Sequence, residues 1–255
     1  MQCPRVAIFD LDDTLAESFH PPAPDMLEKL KNLLLRVPIA IITGAGFQRM
    51  HEQFLTSLES HPKISQLYIF PTSSAQAYIY AEGAWKLLYD LALTEGDRES
   101  IKKGLADAVA GIDVLKGIPS YGEQIIDKGS QIAYTPVGVD APKELKDTWD
   151  SDGGKRQALL DSLKEKLPQF EILMGGVTTI DITRKNVNKA YGVKWLVEHL
   201  AIPAEEMFYV GDAFSETGND TVVIPTGVQW RAVAGPSETL TIFDELLTAC
   251  QSNSN

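Results

Sequence analysis

Two carboxylates that follow a short apolar run near the start of the chain constrain its fold more than any other feature. Residues 6–9 are apolar throughout, which predicts a buried β-strand. Asp10 and Asp12 come directly after it, where the strand opens into a loop. Open α/β sheets bind their ligands at this end of their strands, so we expect both side chains to line a site. One carboxylate there can attack as a nucleophile while the other transfers a proton.

A second apolar run, at residues 207–210, repeats this arrangement far along the chain. Gly211 and Asp212 follow it directly, and Asn219 and Asp220 come shortly after. Carboxylates at the ends of two distant strands, with a glycine that allows close backbone approach, predict an oxygen-lined site for Mg²⁺.

A hydroxyl and a lysine complete the set of groups. Residues 38–42 read as a third strand and end in Thr43 and Gly44, which offer a hydroxyl and backbone N–H groups. Lys189 supplies a fixed positive charge. Phosphoryl transfer through a covalent aspartyl intermediate requires such a nucleophile, cation, hydroxyl and lysine.

The chain resembles the haloacid dehalogenase superfamily of phosphotransferases, whose four motifs occur here in the expected order. They are Asp10, Asp12 and Thr14 in the first, Thr43 in the second, Lys189 in the third, and Asp212 with Asp220 in the fourth. Asp13 stands where many members have glycine, although others have aspartate there. The resemblance covers almost the whole chain.

The resemblance implies a role for each of these residues. The implied catalytic residues are Asp10, Asp12, Thr43 and Lys189; the implied Mg²⁺ ligands are Asp10, Asp12 through its backbone carbonyl, Asp212 and Asp220; the implied substrate contacts are Thr14, Gly44 and Asn219. For Asp220, orienting Lys189 and supporting the metal both remain open.

The element pattern predicts an α/β fold: a Rossmann-like, doubly wound parallel sheet as the core, with an inserted α+β cap domain. Residues 1–81 and 185–255 are assigned to the core because strands and helices alternate there. Residues 82–184 mix helices with two hairpin-like strand pairs and are assigned to the cap. Residues 136–154, rich in Asp, Pro and Gly, are expected to be a long loop.

Composition narrows the partners. The 255 residues carry a net charge of −12, which argues against a general basic field for nucleic acid or anionic membranes. No apolar run approaches the roughly 20 residues of a membrane helix. Cys3 and Cys250 lie near opposite ends and form no disulfide framework or zinc pattern, so a reduced, cytoplasmic setting is expected.

Within the superfamily, the cap placement is similar to that of the subclass called IIB, and the closest resemblance is to eukaryotic-type phosphomannomutases. Gly175 and Gly176, followed by Thr179 and Asp181, resemble a cap segment that contacts sugar hydroxyls and phosphate. Polar and apolar residues alternate over residues 179–183, a pattern that is typical of any half-exposed strand. The resemblance also implies that a homodimer through the cap is possible.

The departures from that family are informative. Its members have arginines where this chain has Asp127 and Val139 in the cap, and another in the loop around His20. A mutase needs cations for the distal phosphate of a sugar bisphosphate. Lysine is not equivalent to a bidentate arginine, although four cap lysines are candidate substitutes: Lys128, Lys143, Lys146 and Lys155.

Three functions follow from these observations. The favoured one is a Mg²⁺-dependent phosphatase that acts on a sugar phosphate or a similar small metabolite. The alternative is a phosphomannomutase-like hexose phosphate mutase. A binding protein without turnover is disfavoured, because Asp10, Asp12, Lys189 and Asp212 are all present.

Overall fold

The computed structural model describes residues 2–251; Met1 and residues 252–255, the outermost parts of the expected core, lie outside this range. The α-helices are α1 Pro24–Leu34, α2 Phe47–Gln53, α3 Glu95–Gly111, α4 Lys143–Trp149, α5 Gly154–Lys166, α6 Lys189–Leu200 and α7 Pro236–Gln251. The strands are β1 Val6–Phe9, β2 Ile39–Ile42, β3 Leu67–Phe70, β4 Gln76–Ala81, β5 Ala84–Asp90, β6 Ile125–Asp127, β7 Ile132–Tyr134, β8 Phe170–Gly175, β9 Thr179–Arg184, β10 Met207–Gly211 and β11 Gln229–Ala232.

A seven-stranded sheet forms the core, in the order β11-β10-β1-β2-β3-β4-β5. The strands from β11 to β3 pair in parallel, and β4 and β5 extend the sheet as antiparallel strands. Phe9 on β1 lies beside Ile41 on β2 and Val210 on β10. The residues that follow these three strands therefore emerge side by side at one edge of the sheet.

Helices cover both faces of this sheet. Alternate residues of β1 point to opposite faces: Phe9 packs in one cluster with residues of α1 and α7, whereas Ile8 packs in another with residues of α6. All four residues of β1 are buried, which explains their continuous apolar sequence. The expected doubly wound α/β fold is confirmed.

A second, four-stranded sheet has the order β6-β7-β9-β8, with antiparallel pairing throughout. It has a hydrophobic core of its own, in which Ile101 and Leu105 of α3 and Leu163 of α5 pack on Ile172 and Ile180 of the sheet. Both expected hairpins are confirmed. We keep the name cap for this sheet and its helices, residues 95–184.

Two elements differ from expectation. Residues 84–90, assigned to the cap from the sequence, form β5 and pair with β4 at the edge of the core sheet. Among residues 2–251, no strand pairs with the outer side of β5, and its side chains are mostly exposed, so its sequence lacks the strong apolar pattern of a core strand. Helix α4 lies within residues 136–154, where a continuous loop was expected. The exact division into domains stays a prediction.

The two cysteines also differ from expectation, because Cys3 and Cys250 are joined in a disulfide. This bond links the segment before β1 to the last turn of α7. Disulfides are rare in reducing compartments. The cysteines therefore no longer support the cytoplasmic setting, which stays a prediction. Between residues 2 and 251, no helix combines the length and apolar character that crossing a membrane requires.

Candidate active site

Three strand ends place the predicted site residues around one crevice. Asp10 follows β1, Thr43 follows β2 and Asp212 follows β10. Backbone hydrogen bonds continue the sheet into these positions: the N–H of Asp10 donates to Val210 O at 2.9 Å, and the N–H of Thr43 donates to Phe70 O at 3.0 Å. The fold therefore holds these backbone positions rigidly.

A cavity of about 240 Å³ opens between this edge of the sheet and the cap. Most of the predicted site residues line it: Asp10, Asp12, Thr43, Gly44, Thr179, Asp181, Asp212 and Asn219. The remaining three, Thr14, Lys189 and Asp220, are buried behind its wall. Thr14 donates its hydroxyl to Asp212 Oδ1 at 3.4 Å, so it contacts a predicted metal ligand.

Lys189 is enclosed by carboxylates. Its Nζ lies 2.8 Å from Asp10 Oδ1 and 2.7 Å from Asp220 Oδ1, and its side chain is only 1% exposed. It occupies the first position of α6, directly after the N-cap Asn188, whose side chain accepts the N–H of Ala190. The Asn188 N-cap fixes the start of the helix and thereby the direction of the lysine side chain.

Asp220 is held by further hydrogen bonds. It accepts the Tyr209 hydroxyl at 2.5 Å and the N–H of Ala213 at 2.9 Å. A Cβ at Gly211 would lie 2.4 Å from Asp220 Oδ2, so only glycine permits this approach. Because its oxygens accept Lys189 Nζ together with these two donors, Asp220 is suited to orienting Lys189.

Burial shifts the pKa values of Asp10 and Asp212 upward. Burial raises the pKa of Asp10, and the nearby Lys189 opposes that rise. Burial also raises the pKa of Asp212, to about 6. For Lys189, burial lowers the pKa, but Asp10 and Asp220 raise it by more, so the lysine keeps its charge. A bound cation would relieve the repulsion among the negative charges here.

The oxygen groups fit a hard divalent cation. Carboxylate oxygens of Asp10, Asp212 and Asp220 lie within 4.8 Å of one another. Asn219 Oδ1 is buried, and it has no hydrogen-bond partner among residues 2–251. Magnesium prefers oxygen ligands of this kind. Because the Asp220 oxygens already accept hydrogen bonds from Lys189, Tyr209 and Ala213, Asp10 and Asp212 are the carboxylates that fit as ligands.

Asp12 forms an ion pair that the sequence did not predict. Arg49 Nη1 donates to Asp12 Oδ2 at 3.1 Å, and Arg49 Nη2 donates to Asp12 Oδ1. The N–H of Phe19 also donates to Asp12 Oδ1, at 3.1 Å. Arg49 lies in α2, close behind Thr43. Its position shortly after a strand end was the one sequence signal that could have placed Arg49 in the site. An arginine in a helix is usually exposed to solvent, so this signal is weak.

The cap contributes its own polar groups. A Cβ at Gly44 would lie 3.0 Å from Asp181 Oδ2, so the cap carboxylate approaches the core backbone closely. Lys128 Nζ donates to Gly44 O at 2.8 Å and thus ties the cap to the core. Burial raises the pKa of Asp181 and lowers that of Lys128, while each charge opposes the shift of the other.

Arg156, which the sequence did not single out, lines the cavity from the cap side. Its Nε donates to the fully buried Asp150 at 2.7 Å, and its Nη1 donates to Gly176 O at 2.5 Å. Of the four candidate lysines, Lys128 lines the cavity and the other three do not. Asp127 stands at a position where the family resemblance leads us to expect arginine. It forms a 3.1 Å ion pair with Lys102, and neither residue lines the cavity.

Comparison with known sequences identifies relatives along most of the chain. A sequence model of the eukaryotic phosphomannomutase family matches residues 25–249. The phosphomannomutase of Spinacia oleracea is 24% identical over 242 residues, which cover 92% of each chain. A probable phosphomannomutase of Caenorhabditis elegans is 25% identical over 250 residues, again 92% of each chain.

Solved structures share the fold. An N-terminally truncated, IMP-bound IMP-nucleotidase of Plasmodium falciparum aligns with a TM-score of 0.73 at 17% identity, over 96% of this chain and 68% of that one. A trehalose-6-phosphate phosphatase of Aspergillus fumigatus aligns with a TM-score of 0.55 at 15% identity, over 96% and 93%. With the sequence relatives, these likenesses confirm the resemblance to the haloacid dehalogenase superfamily.

Proposed function

The chain belongs to the eukaryotic phosphomannomutase family, and on that premise we propose that it is a mutase that moves a phosphoryl group between two positions of a hexose phosphate. One observation carries the proposal: cap cations, Lys128 and Arg156, line the same cavity as Asp10. A mutase must hold a second phosphate away from the nucleophile, which requires such cations. In this proposal, Lys128 and Arg156 take the role of the arginines that are absent at Asp127 and Val139.

The nucleophile in this proposal is Asp10. Its carboxylate attacks one phosphoryl group of a hexose bisphosphate in line and forms an aspartyl phosphate, while Asp12 gives a proton to the departing sugar oxygen of the hexose monophosphate. The free hydroxyl of a hexose monophosphate bound in the opposite orientation then attacks the phosphoryl group and gives its proton to Asp12, which regenerates the bisphosphate and frees Asp10. In a phosphatase, water takes the place of that hydroxyl.

The surrounding groups stabilise the transferred phosphoryl. The Thr43 hydroxyl oxygen accepts the N–H of Ala45 at 3.0 Å, which leaves its O–H free to donate to a phosphate oxygen. Lys189 supplies a preorganised positive charge beside Asp10. Asp10, Asp212 and the backbone carbonyl of Asp12 would hold Mg²⁺, which supplies further neutralisation of phosphate charge when bound.

A sugar-phosphate phosphatase is the second candidate. It is favoured by the missing arginines at Asp127 and Val139, since a lysine does not bind phosphate through two parallel hydrogen bonds. The two candidates share Asp10, Asp12 and Lys189, so they differ only in what attacks the aspartyl phosphate.

The deciding experiment follows mannose 1-phosphate in Mg²⁺, with and without a catalytic amount of a hexose 1,6-bisphosphate. A mutase produces mannose 6-phosphate, faster with the bisphosphate, and releases little inorganic phosphate. Release of phosphate without interconversion would establish the phosphatase instead. Asp10→Asn should abolish both reactions, and unchanged turnover in that variant would overturn the proposed mechanism.

A further inference from the structure

The loop after the first motif carries an aromatic residue that contacts both the core and the cap. The Phe19 side chain lines the cavity although the residue is 58% exposed. Arg49 Cζ lies 5.1 Å from its ring centroid on the core side, and Lys146 Nζ of α4 lies 4.5 Å from the centroid on the cap side. Both distances are within the range of cation–π attraction.

Phe19 is also bonded to the acidic group through its backbone. Its N–H donates to Asp12 Oδ1 at 3.1 Å, and its carbonyl accepts Gln53 Nε2 at 2.8 Å. Gln53 Oε1 in turn accepts Arg49 Nε at 3.3 Å. The residue has φ 67°, in the left-handed region, so these contacts hold a backbone conformation that a phenylalanine rarely adopts.

Arg49 controls the orientation of Asp12 directly. Its two guanidinium nitrogens contact the two oxygens of the carboxylate, an arrangement that fixes the plane of the group. A general acid must be aimed at the departing oxygen within hydrogen-bond reach. Without the two guanidinium contacts the carboxylate keeps the hydrogen bond from the Phe19 N–H, but the plane of the group is no longer fixed.

We propose that Arg49 and Phe19 are positioning residues for Asp12, and that Lys146 couples this positioning to the cap. When the cap is seated, Lys146 holds the Phe19 ring, and the Phe19 backbone and Arg49 hold the carboxylate. When the cap withdraws, the ring loses its cap partner and the loop relaxes. The acid–base group is then correctly aimed only while the cavity is closed, which protects the aspartyl phosphate from water.

This inference rests on the proposed function only through the role of Asp12, which mutase and phosphatase share. The assay is therefore whichever turnover the wild type shows with mannose 1-phosphate. A wild type that releases phosphate without interconversion counts against the mutase, while the variants still test Arg49.

The direct test compares Arg49→Met with Arg49→Lys. Arg49→Met should lower kcat on the order of a hundredfold, the typical contribution of a general acid, with KM changed less than about threefold. Arg49→Lys keeps the charge without the fork and should recover part of the loss. A rise in KM with kcat retained would overturn the proposal, because Arg49 would then be binding substrate.

An activated donor separates positioning from simple structural damage. The nitrophenolate of p-nitrophenyl phosphate leaves without a proton, so Arg49→Met should retain the rate of the first p-nitrophenol burst while losing turnover of the sugar phosphate. Equal loss with both donors would overturn the proposal. If the wild type does not use the activated donor, the changes of kcat and KM in Arg49→Met with the sugar phosphate distinguish positioning of Asp12 from binding of substrate.

The coupling to the cap is tested with Lys146→Met and a matched control, Lys143→Met, in the same helix. Lys143 pairs with Asp147, whereas Lys146 contacts the Phe19 ring. Lys146→Met should lower kcat about fivefold, as expected from loss of one cation–π contact, while Lys143→Met should not. Equal effects of the two variants would remove Lys146 from the proposal.

Discussion

Lys189 Nζ lies 2.8 Å from Asp10 Oδ1 with both side chains almost completely buried. Together with Asp220 they form a triad in which one positive charge is shared by two carboxylates. Removing either partner therefore changes the buried charge in opposite directions. Lys189→Met leaves two unpaired carboxylates, whereas Asp220→Asn leaves a matched pair.

We expect Lys189→Met to lower the free energy of unfolding by about 3–5 kcal/mol, because breaking a buried ion pair leaves uncompensated charge. Asp220→Asn should cost less, yet still lower kcat because Lys189 loses its second anchor. Urea unfolding in EDTA measures both. Lys194→Met removes an exposed lysine from the same helix and is the control. Equal destabilisation by the two triad variants would contradict this account of the charges.

Asp212 should make the metal-free protein less stable as pH rises. Burial raises its folded pKa to about 6 from an ordinary value of 3.8. Between these values the folded protein holds a proton that the unfolded chain releases, so stability falls as pH rises through this window. Asp212→Asn lacks this contribution.

In EDTA, Asp212→Asn should therefore gain Tm relative to wild type on going from pH 4 to pH 7, and it should lose activity at both. The comparison is thermal unfolding at each pH, with Asp107→Asn on the exposed face of α3 as control. Mg²⁺ should raise the Tm of the wild type at pH 7 and not that of Asp212→Asn, because it binds the folded site. A constant difference in Tm across pH would refute the assignment.

The cap cations should matter for interconversion more than for the attack by Asp10. Arg156→Ala removes a guanidinium that Asp150 holds against the cavity, and we expect KM for the hexose phosphate to rise about tenfold or more, as for loss of a charge-assisted contact. Lys143→Ala removes an exposed cap charge and should have no such effect. Steady-state kinetics of both variants provide the measurement. Unchanged interconversion kinetics in Arg156→Ala would show that Arg156 does not hold the distal phosphate.

The strand-end residues were predictable because local sequence determines them. An apolar run followed by Asp10, or by Thr43, places a polar group at the carboxyl end of a parallel strand wherever the rest of the chain lies. Arg49 and Arg156 were not predictable in the same way. Each lies in a helix, where an arginine contacting a carboxylate or a cavity looks the same in sequence as a solvated one. Their roles depend on tertiary packing.

The remaining misses have a similar cause. In the described part of the chain, strand β5 pairs on one side only, and helix α4 has seven residues within a stretch rich in helix breakers. Neither element therefore has a strong hydrophobic period. Cys3 and Cys250 meet because α7 packs beside α1 and β1, a long-range contact that spacing does not report. The expected homodimer and the compartment stay predictions.

Three consecutive residues, Thr72, Ser73 and Ser74, have φ between 51° and 68° in a buried turn. Left-handed backbone costs about 1–2 kcal/mol for a residue with a side chain. The Ser74 hydroxyl has no hydrogen-bond partner within residues 2–251, so replacing it loses no bond. Ser74→Gly should therefore raise the free energy of unfolding by about 1 kcal/mol after the entropy of glycine is subtracted.

Denaturant unfolding of Ser74→Gly checks this expectation. Ser65→Gly is the matched control, since Ser65 is exposed in a 3₁₀ turn and is not left-handed. It should be destabilised by about 0.5–1 kcal/mol. If both variants lost stability to the same extent, the turn would carry no strain.

The disulfide should stabilise the fold without affecting catalysis. Cys3 and Cys250 are 247 residues apart, so the bond restricts nearly the whole unfolded chain. A loop of this length gives up to about 5 kcal/mol in the chain-entropy treatment. Cys3 precedes the amino end of β1, whereas Asp10 follows its carboxyl end. Reduction with dithiothreitol should therefore lower Tm while leaving kcat at 25 °C unchanged.

Cys3→Ser should reproduce that lower Tm and be insensitive to dithiothreitol, which separates loss of the bond from other effects of the reductant. Titration of thiols in the unfolded, unreduced wild type should find none, because both cysteines are paired. Two free thiols together with an unchanged Tm on reduction would show that the bond does not form in solution. Loss of activity in Cys3→Ser at full folding would instead show that the amino end of the sheet is coupled to the site at its carboxyl end.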